Sequence, residues 1–141
     1  MTERTVDARW DGGLRAVVDA GGFEIVVDEP ESVGGTGRGP QPTELLLASI
    51  ASCMTIALAF VAAKRKVELA GLRVRVTGTY DGPQFSDLRV LVHASQPTGP
   101  ELDTLIGAAE RVCYVTRTLR SGPGVVVVQD PQGAAGDLAQ G

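Results

Sequence analysis

The stretch PTELLLASIASCMTIALAF, residues 42–60, decides how the chain is read. It has no charge after Glu44, and the uncharged run continues from Leu45 to Ala63, 19 residues in all. Pro42 or Thr43 suits the first helical position and Glu44 the first turn, where a negative charge complements the helix dipole, so a helix to about Lys66 is expected. A run of this length reaches what a bilayer span needs, and Lys64-Arg65-Lys66 could anchor it. Against a span, six of the 19 residues are Ala and four are Ser, Cys or Thr, which add little insertion energy. A helix apolar all round also suits the centre of a packed domain or dimer, where Ala48, Ser49, Ala51, Ser52, Ala57 and Ala59 would admit a close neighbour. That packed helix is the expectation, and no membrane partner is expected.

Upstream, TVDARW, LRAVVDA and FEIVVD are separated by Gly12-Gly13 and Gly21-Gly22, the pattern of three short antiparallel strands. EPESVGGTGRGPQP, residues 29–42, is a long loop rich in Gly and Pro. Its glycines do not have nucleotide-loop spacing, since GGTGRG lacks GxGxxG and no Lys-Ser/Thr follows. Downstream, LRVRVTGTY at 72–80 and LRVLVHAS at 88–95 alternate in polarity around Asp81-Gly82-Pro83 and read as a hairpin. A second helix starts at Gly99-Pro100. Leu102, Leu105, Ile106, Ala109, Val112 and Cys113 then recur every three or four residues, which puts Cys113 on its buried face. SGPG at 121–124 turns the chain into VVVV, expected to be a last strand. Strands grouped in hairpins, with two helices, make an α+β fold. One domain over residues 1–130 is expected, followed by a disordered tail, 131–141.

The net charge of −4 and the six aromatic residues give no footprint for nucleic acid. MTERTVDARW does not read as a secretory signal, so a cytoplasmic location is expected, where thiols stay reduced. His93 is a lone histidine on an alternating strand, a surface residue by expectation, and no ligand spacing suggests a metal.

Cys53 and Cys113 are therefore the residues with chemistry to offer. Both lie on apolar helix faces that could bring the thiols together when the helices pack. Taking a thiol from about 8.5 to about 6 requires roughly 3.4 kcal/mol of preference for the anion. Cys53 lies about three turns into its helix, beyond reach of the dipole, so a nearby guanidinium is the natural source. Arg38, Arg111, Arg117 and Arg120 are the nearby candidates in sequence.

GGTGRGPQPTELLLASIASC, residues 34–53, resembles the Gly-rich loop and P-x-E-L helix start of the OsmC/Ohr superfamily, the osmotically inducible and organic hydroperoxide resistance proteins. AAERVCYVTRTLRSG, residues 108–122, resembles that family's second-cysteine segment, and the likeness spans roughly residues 6–130. The resemblance implies an intertwined homodimer with antiparallel sheets around two central helices and sites at the subunit interface. It implies a thiol-dependent peroxidase for organic hydroperoxides, in which Cys53 becomes a sulfenic acid, Cys113 resolves it to a Cys53–Cys113 disulfide, and an external dithiol, such as a dihydrolipoyl protein, restores both. No bound cofactor is implied. Peroxidatic members carry Glu directly after the motif Pro, where this chain has Thr43, with Glu44 one position on. For the activating arginine, Arg38 stands ahead of Arg15, with Arg117 behind them. These departures place the chain in the broad OsmC-like branch. The alternative is a member that keeps the fold and binds a small apolar ligand without turnover.

Overall fold

The computed structural model describes residues 2–131 and 133, which form two compact units. The first comprises the residues up to Leu45 and those from Val125 on; the second runs from Leu46 to Gly124.

In the first unit, β1 (Asp7–Trp10), β2 (Ala16–Ala20) and β3 (Phe23–Val27) form an antiparallel meander in the order β1-β2-β3. Trp10 pairs with Ala16 and Ala20 with Phe23, so the two glycine pairs occupy the hairpin turns, as their sequence position requires. A single 3₁₀ turn, Glu31–Val33, opens the long loop. The loop folds back on the end of β3: the Asp28 amide donates to Pro40 O at 3.1 Å and the Gly37 amide to Glu29 O at 3.0 Å. Gly35 and Gly39 permit this closeness, since a Cβ on Gly39 would stand 2.0 Å from Val26 O and one on Gly35 1.9 Å from Glu29 O.

α1 (Pro42–Lys64) begins in the first unit and runs through the second. It stops two residues short of the sequence expectation because Lys66 takes a left-handed conformation, φ 57°, and closes the helix. The Val67 amide donates to Ala62 O and the Lys66 amide to Ala63 O, the paired bonds of a Schellman end with Lys where Gly is usual. Met54, Ala57, Leu58, Val61 and Ala62 form its buried face. They pack with Leu105, Ala108 and Ala109 of α2 (Gly99–Val112) into one apolar cluster. By length and composition α1 could cross a membrane, but this face makes it the core helix of its unit.

β4 (Arg73–Asp81) and β5 (Gln84–His93) form the expected hairpin, with a register irregularity at Thr79/Tyr80. Their alternation puts Val74, Val90 and Val92 against the helical cluster, which a two-stranded sheet needs for stability, and leaves His93 exposed.

Two sequence expectations require correction. The second helix does not run on through Cys113. It ends at Val112 and restarts as α3 (Tyr114–Ser121), with Cys113 as the one extended residue between them, φ −83°, ψ 102°. Nor do Val125–Val128 form a strand; all four are exposed, and among the described residues no strand edge pairs with them. Alternation and β-branching favour a strand, but a strand forms only against a partner edge. The tail, 131–141, lies outside the described residues apart from Pro131 and Gly133.

Candidate functional site

The helix break at Cys113 builds the site. Cys113 is both the C-cap of α2 and the N-cap of α3, and its carbonyl accepts the Arg117 amide at 3.1 Å to start α3. Held there, its side chain is 0 % exposed and belongs to the apolar cluster, against which Cys53 of α1 also packs. The two Sγ atoms are 3.2 Å apart and hydrogen-bonded. Both thiols are free, and a disulfide length of about 2.05 Å lies only about 1 Å of approach away.

The start of α3 follows directly on Cys113 and bears on both sulfurs. The Val115 and Tyr114 amides favour the charged form of Cys53, and the Thr116 and Val115 amides with the Thr116 hydroxyl favour that of Cys113. In the geometry seen, the Thr116 hydroxyl donates to the Cys113 carbonyl at 3.3 Å. A helix N-terminus offers such unpaired amides and favours negative charge. The two thiols respond in opposite directions. Burial pushes Cys53 up, the Val115 amide offsets part of this, and hydrogen bonding and charge from Cys113 push it further. Burial also pushes Cys113 up, but the Thr116 hydroxyl and amide, the Cys53 contact and the Val115 amide outweigh it, so Cys113 ends below the ordinary thiol value.

Only Cys53 opens onto the adjoining groove, of about 1290 Å³. Ile56 and Phe60 of α1 give it an apolar wall, and Arg111, Tyr114 and Arg117 also line it. Glu110 and Arg120, also on the groove, pair with each other at 2.7 Å.

The other residues expected from sequence belong to the first unit. Arg38 donates its amide to Asp28 Oδ2 at 3.2 Å, and its guanidinium makes no hydrogen bond or ion pair among the described residues. Glu44 accepts the Gln41 amide at 2.9 Å, the back-bond by which a third-position glutamate caps its own helix. Arg15 holds Asp11 at 2.9 Å and donates to the Thr36 hydroxyl at 3.3 Å. Of the expected residues, the second unit therefore gathers Cys53, Cys113 and Arg117, whereas Arg38, Glu44 and Arg15 organise the loop and helix start of the first.

Two residues escaped the sequence reading. Asp28 is 1 % exposed and orders the loop by accepting the Thr36 hydroxyl and the amides of Glu29, Thr36 and Arg38. The Thr36 hydroxyl, against the opposing effect of burial and with the three amides, lowers its carboxyl to about 2. Thr116 is the other; the Cys113-x-x-Thr116 spacing at a helix start was its available signal.

A model of the OsmC-like protein family matches residues 35–128. The chain belongs to the OsmC-like family. Among curated protein sequences none matches. This OsmC-like chain is similar to the solved structure of an organic hydroperoxide resistance protein from Elizabethkingia anophelis, at 28 % identity and a TM-score of 0.60, covering 83 % of this chain and 89 % of that one. An organic hydroperoxide resistance protein OsmC from Legionella pneumophila matches at 22 % identity and TM-score 0.65, over 85 % and 90 % of the two chains. An OsmC-like protein from Mycoplasma pneumoniae matches at 20 % identity and TM-score 0.66, over 86 % and 89 %. The shared fold is α+β, with antiparallel sheets and helices, as the sequence indicated.

Proposed function

We propose that this OsmC-like protein is a thiol-dependent peroxidase that reduces organic hydroperoxides. The observation that carries the reading is the Cys53–Cys113 pair, at hydrogen-bond distance with one sulfur open to a groove and the other buried behind it. The Cys53 thiolate attacks the O–O bond of a hydroperoxide in the groove, the alkoxide leaves as an alcohol after protonation, and Cys53 becomes a sulfenic acid. Cys113 then attacks the Cys53 sulfur, water leaves, and a disulfide forms after an approach of about 1 Å. An external dithiol, such as a dihydrolipoyl protein, reduces it. Ile56 and Phe60 favour substrates with an organic tail, because burying that tail supplies binding energy that hydrogen peroxide lacks.

The working unit in this reading is a cytoplasmic homodimer. Ile56 and Phe60 expose the second face of α1, and Val125–Val128 offer the edge of a second copy an apolar segment that pairs with no strand among the described residues.

The test is the free-thiol count and intact mass of the reduced protein after one equivalent of cumene hydroperoxide. Loss of two thiols in the wild type and none in Cys53→Ser supports the peroxidase. A second reading, binding of a small apolar ligand without turnover, has in its favour that burial pushes the Cys53 thiol up. Two unchanged thiols and a ligand carried through purification would select it.

A further inference from the structure

The alternation that turns the valines of β4 and β5 onto the helical cluster turns a different set of side chains outward. Arg73, Arg75 and Thr77 of β4 and Arg89, Leu91 and His93 of β5 are exposed on that outer face. The register sets Arg73 across from His93, Arg75 from Leu91 and Arg89 from Thr77. Arg75 and Arg89 are therefore diagonal neighbours about 7 Å apart, and Arg73 stands about the same distance from Arg75 along one strand. Among the described residues none of these three guanidinium groups makes a hydrogen bond or an ion pair. Asp87, opposite Thr79 at the far end, is the one carboxylate that shares the face.

Like charges this close on a sheet oppose folding, and here no contact within the described residues offsets them. The chain as a whole has a net charge of −4, so the cationic face runs against its composition. We propose that the outer face of the β4–β5 hairpin docks an acidic segment of another protein, whose carboxylates pair with Arg73, Arg75 and Arg89.

The chemistry of the face selects this occupant. All three cations are Arg, the side chain that binds a carboxylate through two parallel hydrogen bonds and that is enriched at protein interfaces where Lys is depleted. Their spacing of about 7 Å is that of alternate residues on an extended chain, so a segment with an acid at every second position meets them in register. Leu91, 48 % exposed beside Arg89, adds an apolar contact, and the valines behind the strands hold the face rigid. An extended polyanion fits less well. Recognition of anionic lipid takes about four to eight basic residues, and a bilayer or a duplex would bring phosphates within a Debye length, about 8 Å, of a chain that is acidic overall. The homodimer contacts proposed above, the second face of α1 and Val125–Val128, do not use this face.

The test is the fluorescence anisotropy of a labelled peptide of alternating Glu and Ser, titrated with the full chain at low and at physiological salt. The wild type binds it, more weakly as salt rises. Arg73→Gln, Arg75→Gln and Arg89→Gln together lower the affinity more than about tenfold and leave the melting temperature equal or higher. Lys64→Gln, Arg65→Gln and Lys66→Gln together remove the same charge from the end of α1 and keep most of the affinity. Arg→Lys at positions 73, 75 and 89 costs about threefold, because a point charge cannot make the paired bonds. A wild type that does not bind, equal losses in the two Gln variants, or a Lys variant that matches the wild type overturns the proposal. So does a melting temperature lowered by more than about 5 °C in the first Gln variant, which would assign the arginines to the fold. Phosphatidylserine vesicles or duplex DNA that displace the peptide at a lower concentration of negative charge also overturn it, and select that polyanion.

Discussion

Leu58 and Ile56 stand two residues apart on α1 and report on its two faces. Leu58 is 0 % exposed within the helical cluster, while Ile56 is 69 % exposed. Leu58→Ala removes three carbons from full burial, a transfer loss of about 2.4 kcal/mol at about 0.8 kcal/mol per carbon. The cavity left beside Leu105 and Ala109 raises the cost to roughly 3–5 kcal/mol, since a helix pair anchored at both ends relaxes only partly. For a chain of this size the melting temperature falls by on the order of 10 °C. Ile56→Ala removes little that is buried within one chain, so it costs about 0.5 kcal/mol or less in the monomer. In the proposed homodimer Ile56 is covered, and its loss grows as protein concentration favours association. Urea unfolding of both variants at two concentrations a hundredfold apart measures this. A Leu58→Ala cost below about 1 kcal/mol, or equal costs for both variants at every concentration, would refute this division of α1 into a core face and a docking face.

Three further outcomes follow from the loop and the helix end. The Asp28 carboxyl titrates at about 2 in the fold against 3.8 for the free group, so its contribution is fully present above about pH 4 and disappears as pH falls towards 2. Asp28→Asn is expected to lower the melting temperature at neutral pH and flatten its decline over that window; superimposable pH curves would contradict this. Gly39→Ala drives a methyl group onto Val26 O and is expected to cost on the order of 2–3 kcal/mol, read as a lower urea midpoint. Lys66→Gly relieves a left-handed lysine and is expected to gain up to about 1 kcal/mol, checked by thermal unfolding; a loss would show that the lysine side chain matters more than its backbone angle.

Local patterns carried much of the architecture. The Gly12-Gly13 and Gly21-Gly22 pairs marked two hairpins, strict alternation marked β4 and β5, and uncharged length marked α1, because each depends on neighbours in the chain. Both thiols were legible as chemistry because little else in the sequence competes with them. The motifs around them also pointed to the OsmC-like family that the family match then showed.

Tertiary structure decided what those patterns do together. Helical periodicity put Cys113 on a buried face, yet only the packed chain shows that the helix breaks there and that α3 begins on the sulfur. Asp28 looked like the end of a strand, and its role appeared when a loop ten residues long brought the Arg38 amide back to its carboxylate. Val125–Val128 have every local property of a strand and, among the described residues, lack only an edge to pair with. In each case the deciding partner is distant in sequence. A residue's own neighbours set its backbone preference, whereas the field, the hydrogen bonds and the ladder that give it a function come from wherever the fold delivers them.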